Sequence, residues 1–86
     1  MRVLVLGTPD DALGFGFAGA ATRTPETARE LAAALAHVGD DGPVGLVLVS
    51  APVAALSPRA VRDFTESAFA PPLLVLPERL EHESAR

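Results

Sequence analysis

Three short apolar runs constrain the fold of this chain more than any other feature. They are Val3–Leu6, Leu46–Val49 and Leu73–Leu76, and a glycine, a serine or a proline follows each of them. No polar residue interrupts a run, which is typical of strands in a parallel sheet that is covered on both faces. Parallel strands need crossover connections, and the intervening segments are long enough to hold helices. The sequence therefore predicts an α/β protein with a parallel sheet.

Hydroxyl–proline pairs predict where the helices between these runs begin. Thr8, Thr24 and Ser57 each precede a proline, and a Ser or Thr N-cap followed by proline is a common helix start. The first helix is expected to reach about Phe17. The second is expected to stop at Gly39, and the third to stop before the pair of prolines at 71–72. We leave the segment 51–56 without a prediction.

Apolar residues at helical spacing predict the inner faces of the second and third helices. The second helix has such a stripe, and so does the third. The residues are Ala28, Leu31, Ala32, Leu35 and Val38 in the second helix, and Val61, Phe64 and Ala68 in the third. With a weak second strand at 20–23, the order becomes strand and helix in alternation. We predict a small four-stranded parallel sheet in the order 2-1-3-4, flanked by helices in a three-layer, flavodoxin- or receiver-like arrangement.

Length and composition limit the domain count and the possible partners. The chain has 86 residues, which fits a single domain at 1–77 followed by a charged tail at 78–86. It has no cysteine, and all seven of its basic residues are arginine against a net charge of −4. Scattered arginines on an acidic chain argue against nucleic acid. The apolar stretch at the N-terminus is too short for a signal peptide or a membrane span, so we expect a cytoplasmic protein without membrane insertion.

Residues 14–19 read GFGFAG and match the G-x-G-x-x-G pattern of dinucleotide-binding loops. In that motif the first glycine directly follows the first strand, so that the helix N-terminus meets the pyrophosphate. Here the strand is followed by Gly7, and Gly14 lies near the far end of the first helix, where the dipole is unfavourable for phosphate. We interpret Gly14 and Gly16 as close-packing positions instead. Of Phe15 and Phe17, we expect one to face the core and the other to be exposed as a partner anchor.

Other chemical sites are also not supported by the residues present. Asp10 and Asp11 follow the first strand, like the magnesium-binding acids of receiver domains, but Ser50 stands where the phospho-acceptor aspartate belongs. No lysine is available to pair with a phosphoryl group. His37 and His82 have no second ligand at zinc spacing and no nucleophile to activate. We therefore predict no catalytic, cofactor-binding or metal-binding residues, and no enzymatic activity.

The residues alone leave two kinds of function open. One is a stand-alone, receiver-like module that binds or regulates another protein without a phospho-acceptor. The other is a small-molecule or enzyme domain that uses the crevice at the carboxyl ends of the strands, which Gly7, Thr8, Ser50 and Ala51 would line. Only Thr8 and Ser50 offer hydroxyl groups there, which is little equipment for catalysis.

The stretch VLVLGTPDDALGFGFAGA resembles the N-terminus of the F subunit of the V-type and A-type rotary ATPases. In that family a short strand ends in glycine, a turn containing aspartate follows, and a Gly-Phe-x-Leu-Ala-Gly signature comes next. Gly14, Phe15, Ala18 and Gly19 match the signature, Phe17 replaces its leucine, and Gly16 falls at the variable position. The runs LVLVS and LLVLP look like the third and fourth strands of the family. The resemblance extends to about Pro77.

The resemblance implies four parallel strands with flanking helices and a non-catalytic place in the central rotor stalk. There the protein would bind the coiled-coil D subunit and help couple ATP turnover to ion transport, peripheral to a membrane-bound complex. The signature residues that the resemblance offers as partner contacts are Asp11, Gly14, Phe15, Phe17, Ala18 and Gly19. Family members commonly continue into a linker and a C-terminal helix, whereas this sequence continues past Pro77 with nine residues of charged tail.

Overall fold

A four-stranded, all-parallel sheet forms the centre of the molecule. The computed structural model describes residues 2–17, 19–40 and 42–77, with the backbone but not the side chain of Phe17. The elements in chain order are β1 (Val3–Leu6), α1 (Pro9–Phe17), β2 (Ala21–Arg23), α2 (Ala28–Ala36), β3 (Leu46–Ser50), α3 (Ala51–Ala54), α4 (Pro58–Thr65) and β4 (Leu73–Leu76). The strand order is β2-β1-β3-β4, as the sequence predicts.

The direction of the crossovers places the helices on two faces of the sheet. The chain moves from β1 through α1 to β2 on one side, and from β2 through α2 to β3 on the other side of β1. Because such crossovers are right-handed, opposite directions put α1 and α2 on opposite faces. The connection through α4 from β3 to β4 runs in the same direction as that of α2, and α2 contacts α4. Helix α1 lies on the other face, against β1 and β2.

The main core lies between the sheet and the pair α2 and α4. Alternate residues of β1 and β3 point to this side, and α2 supplies two fully or nearly buried leucines. The cluster consists of Leu4, Leu6, Leu31, Leu35, Val47, Val49 and Val53, with Val61, Phe64 and Leu73 packed against it. Val5 is buried on the opposite side and does not belong to this cluster, in accordance with its cover by α1.

The second helix begins later than the sequence predicts. Its N-cap is Thr27, whose hydroxyl accepts a hydrogen bond from the Glu30 N–H at 3.0 Å, rather than Thr24. The Glu30 carboxylate in turn accepts from the Glu26 N–H at 2.7 Å. Thr27 and Glu30 have the spacing of a capping box, but the Glu30 carboxylate binds the N–H of the residue before the cap. Helix α2 therefore begins after Thr27, although Thr24 is the threonine that precedes a proline.

The predicted helical faces are only partly correct. In α2, Leu31 and Leu35 are buried, whereas Ala28 and Ala32 are exposed. The third predicted helix begins as expected, because Ser57 caps α4 through the Ala60 N–H. Segment 51–54, for which no element was predicted, forms the single turn α3. Helix α4 ends at Thr65, well before the prolines, so Ala68 lies outside it and is exposed.

Candidate partner-binding surface

The GFGFAG segment forms the second half of α1 and the turn that ends it. The Gly19 N–H donates to the Gly16 carbonyl at 3.0 Å, and the Ala20 N–H donates to the Phe15 carbonyl at 3.2 Å. Gly19 has a φ of 91°. This pattern is a Schellman motif, in which a residue in the left-handed conformation closes the helix and satisfies its last carbonyls. Gly19 is therefore required for the helix end.

The other two glycines of the GFGFAG segment do not pack against anything in the described structure. A Cβ atom added to Gly14 or Gly16 would have no atom from elsewhere in the structure within 4 Å. The expectation that these glycines allow close packing within the chain is wrong. The reason is architectural: α1 is the sole helix on its side of the sheet among the described elements, so its outer surface meets no second layer.

Asp11 stabilises the start of α1, and its role as a partner contact stays a prediction. Its carboxylate accepts hydrogen bonds from the Thr8 N–H at 3.2 Å and from the Thr8 hydroxyl at 3.0 Å. The Thr8 oxygen accepts from the Asp11 N–H at 3.3 Å. Thr8 thus serves as the N-cap, as predicted, and the pair forms a reciprocal capping box. Asp11 is half-buried, and its position is set by this local network.

The aromatic and apolar side chains of α1 divide between its two faces. Phe15 is half-buried, and Leu13 is 61% exposed. The Phe17 side chain and Ala18 lie outside the described residues, so the roles predicted for them stay predictions. The exposed residues Leu13, Gly14 and Gly16 form what we call the signature face.

The chain's own side chains occupy part of the crevice at the carboxyl ends of β1 and β3. A Cβ on Gly7 would lie 2.7 Å from the Asp11 Cβ, so the capping box occupies the space above β1. Ser50 is buried, and its hydroxyl has no hydrogen-bond partner among the described residues. Among the described residues, no three histidine, cysteine, aspartate or glutamate side chains are grouped so that they could hold a metal ion. These features give no support to the small-molecule hypothesis.

A groove of about 540 Å³ runs along α2 on the opposite side of the sheet. Its polar lining includes Arg23, Glu30 and His37. The His37 Nδ1 lies 2.8 Å from a carboxylate oxygen of Asp40, and both side chains are exposed. Thr24 is the one hydroxyl-bearing residue among the described residues of this lining.

Sequence reasoning missed an apolar surface on the same side of the sheet as α1. Strand register places the side chains of Leu48 and Leu74 side by side on this face, next to Val5. Helix α1 contacts β1 and β2, whereas α3 contacts the ends of β3 and β4. We call the four leucines of β3 and β4 that point to this side the leucine face: Leu46, Leu48, Leu74 and Leu76. The predicted strand order already indicates this surface, because right-handed crossovers in the order 2-1-3-4 place only one of the three predicted helices on this face of the sheet.

The fold and surface together define a small parallel α/β domain with an incomplete third layer and an exposed, glycine-containing helix. The family model described as the ATP synthase (F/14-kDa) subunit matches residues 3–85. The chain therefore belongs to the ATP synthase (F/14-kDa) subunit family, whose members are accessory components of that complex.

A solved structure agrees with this assignment. The crystal structure of the V-type ATP synthase F subunit from Archaeoglobus fulgidus superposes with a TM-score of 0.63 at 25% sequence identity. The match covers 87% of this chain and 96% of the archaeal one. No curated protein gives a significant match. None of the helices in the described part of the chain has the length and apolar character needed to cross a bilayer.

Proposed function

We propose that this chain is the non-catalytic central-stalk F subunit of a V/A-type rotary ATPase or ATP synthase, and that it binds the coiled-coil D subunit. The observation that carries the proposal is the family match over residues 3–85, together with the fold shared with an archaeal member of the family. The place of the protein would be on the cytoplasmic side, peripheral to the membrane part of the complex.

The mechanism under this proposal is mechanical. A sheet with a tightly packed core on one side is a rigid body, because protein interiors pack as densely as organic crystals. A rigid domain fixed to a coiled coil stiffens it and transmits torque, and thereby helps couple ATP turnover in the head to ion movement in the membrane ring. No side chain of this protein needs to take part in bond making or breaking.

The signature face is the first candidate contact. Leu13 is a large apolar side chain in solvent, and Gly14 and Gly16 present bare backbone beside it. Glycines in a helix cost roughly 1 kcal/mol each relative to alanine. Nothing in the described structure offsets this cost, whereas a partner backbone in close approach would. Asp11, Phe15 and Gly19 act indirectly, by fixing the start, the inner face and the end of α1.

The test is co-expression with a tagged coiled-coil D subunit, followed by gel filtration and mass measurement. A stable one-to-one complex is expected, and an unrelated coiled coil of the same length serves as the control. Two separately eluting species would reject the proposal. A homodimer that ignores both coiled coils would favour the alternative of a stand-alone binding module.

A further inference from the structure

Strand β4 forms one edge of the sheet, and among the described elements it pairs with β3 alone. An edge strand presents a row of N–H and C=O groups without strand partners, and this row can pair with a strand of another molecule. Proteins with such an edge usually carry features that prevent strand addition. The residues that do so in β4 can be identified from its hydrogen bonds to β3.

The sequence around β4 favours strand addition. Residues 67–77 read SAFAPPLLVLP and include no charged side chain. Phe69, Leu74 and Val75 are 98%, 56% and 47% exposed. Apolar, uncharged segments of high β-propensity are the usual starting points of pairing between molecules, and charged residues or prolines beside them prevent it. Of these two protecting types, the segment contains proline alone.

The hydrogen bonds to β3 determine which residues of β4 face outward. The Val47 N–H donates to the Pro72 carbonyl at 2.9 Å. In a strand, the N–H and C=O groups of one residue point to the same side, and the side alternates from residue to residue. Residues 72, 74 and 76 therefore face β3, and residues 71, 73, 75 and 77 face outward.

Prolines stand at both ends of this outward row. Pro71 and Pro77 have no N–H group, so the donors that remain are those of Leu73 and Val75. An added strand would find donors at the centre of the row and none at either end. Pro72 faces β3, so its missing N–H lies on the inner side of the strand. Two of the three prolines are thus placed where they limit strand addition.

The opposite edge of the sheet is protected in a different way. Strand β2 has three residues, Ala21–Arg23, and the Gly7 N–H donates to the Arg23 carbonyl at 3.1 Å. Alternation turns Thr22 outward, and the Arg23 guanidinium donates to the Thr22 carbonyl at 2.9 Å. Short edge strands with a charged side chain resist strand addition. Strand β4 is longer and uncharged, which leaves this task to its prolines.

We propose that Pro71 and Pro77 close the free edge of β4 and thereby keep two copies of the chain from joining their sheets through this strand. The role lies outside the proposed function, because it concerns each copy whether or not another protein is bound. Without the two prolines, the β4 strands of two copies would pair about a two-fold axis, since a contact between identical edges closes as a dimer.

Replacement of these prolines by threonine tests the proposal, because threonine restores the N–H group and favours strands. Pro71→Thr combined with Pro77→Thr adds donors at 71 and 77 to those at 73 and 75. A backbone hydrogen bond adds roughly a factor of five to an association constant. Sedimentation should therefore show the double variant as dimers or larger species at concentrations at least about tenfold below those at which the unchanged chain is still monomeric.

Pro72→Thr is the matched control for this experiment. It removes a proline from the same pair of neighbours, but the N–H group that it restores points toward β3. Its sedimentation should equal that of the unchanged chain. Circular dichroism of all variants checks that the fold is retained. If the double variant does not fold, Pro77→Thr alone, at the end of the strand, replaces it in the comparison with Pro72→Thr.

Amide hydrogen exchange gives a second readout and needs no variant. In the unchanged chain the N–H groups of Leu73 and Val75 should exchange rapidly at every protein concentration, whereas those of Leu74 and Leu76, which face β3, should be protected. In the double variant the Val75 N–H should become protected as the concentration rises. This change distinguishes pairing of strands from adhesion through apolar side chains.

Three results would overturn the proposal. The first is a folded double variant that remains as monomeric as the unchanged chain. The second is equal association of Pro72→Thr, because the side to which the proline faces would then not matter. The third is protection of the Val75 N–H in the unchanged chain. If that protection rises with concentration, copies pair in spite of the prolines, and if it does not, the chain's own residues cover the edge.

Discussion

The Asp11 carboxylate accepts hydrogen bonds from both the backbone N–H and the hydroxyl of Thr8, at 3.2 and 3.0 Å. The pair closes the first turn of α1 and fills the space above β1, where a Cβ on Gly7 would collide with Asp11. A feature that looks in sequence like a metal-binding acidic pair is therefore a helix cap. Asp11, and not its neighbour Asp10, makes this contact, so substitution of the two aspartates should have different effects on stability.

Asp11→Ala should lower the free energy of unfolding by about 1 kcal/mol, the usual effect of losing a capping side chain. Asp10→Ala is the matched control: Asp10 is exposed in the same turn and has only its dipole interaction to lose, worth roughly a few tenths of a kcal/mol. Urea unfolding of both variants measures the difference. Equal effects would show that the Thr8 contact is not what stabilises the helix start.

The glycines of the GFGFAG segment should respond in opposite directions to alanine. Gly14→Ala and Gly16→Ala should each raise the free energy of unfolding of the isolated chain by about 0.5–1 kcal/mol, because the space around them is open and alanine favours the helix. Gly19→Ala should lower it by about 1–2 kcal/mol, since its φ of 91° is unfavourable for a residue with a Cβ. Thermal or urea unfolding measures the free energy of unfolding of the three variants. Destabilisation by Gly14→Ala would restore the close-packing interpretation that the structure overturns.

Two serines at helix starts give a third contrast. The Ser57 hydroxyl accepts from the Ala60 N–H at 3.2 Å, whereas the Ser50 hydroxyl is buried without a partner. Ser57→Ala should therefore cost about 1 kcal/mol of stability, and Ser50→Ala should be neutral or stabilise by up to about 1 kcal/mol. Unfolding curves of the two variants in the same buffer provide the comparison. A clear loss of stability in Ser50→Ala would mean that its hydroxyl has a partner after all.

Leu31 and Leu13 test the division between the packed and the open side of the sheet. Leu31 is fully buried in α2, and Leu13 is largely exposed on α1. Leu31→Ala should cost about 2–5 kcal/mol, through lost burial and the cavity left behind, and Leu13→Ala should stay within about 0.5 kcal/mol. Calorimetry of the two variants measures both. A large loss in Leu13→Ala would mean that α1 is covered in solution.

Much of the fold could be predicted from local patterns. The uninterrupted apolar runs at 3–6, 46–49 and 73–76 correctly predict β1, β3 and β4, and handedness then limits the order of the sheet. Thr8 and Ser57 are recognisable as caps because each is followed by proline. These features depend on a few neighbouring residues, so the sequence contains the information directly.

The features that were missed depend on competition or on distant parts of the chain. Thr24 and Thr27 are both acceptable caps, and the choice depends on where Glu30 can reach a free N–H. The open space around Gly14 and the exposure of Leu74 depend on how many helices cover each face, which no local pattern reports. An apolar run predicts a strand, but it does not say whether a helix of the same chain covers it.

The most direct test of the central claim, that this protein binds a protein partner and not a small ligand, is the thermal stability of the unchanged chain against each candidate. A partner that binds only the folded chain adds about 2.7 kcal/mol at 100 times its dissociation constant. For a domain of this size that corresponds to a rise in Tm of at least about 10 °C. We predict this rise with the coiled-coil D subunit and no change with ATP, ADP or Mg²⁺. A Tm that rises with nucleotide and ignores the coiled coil would contradict the account.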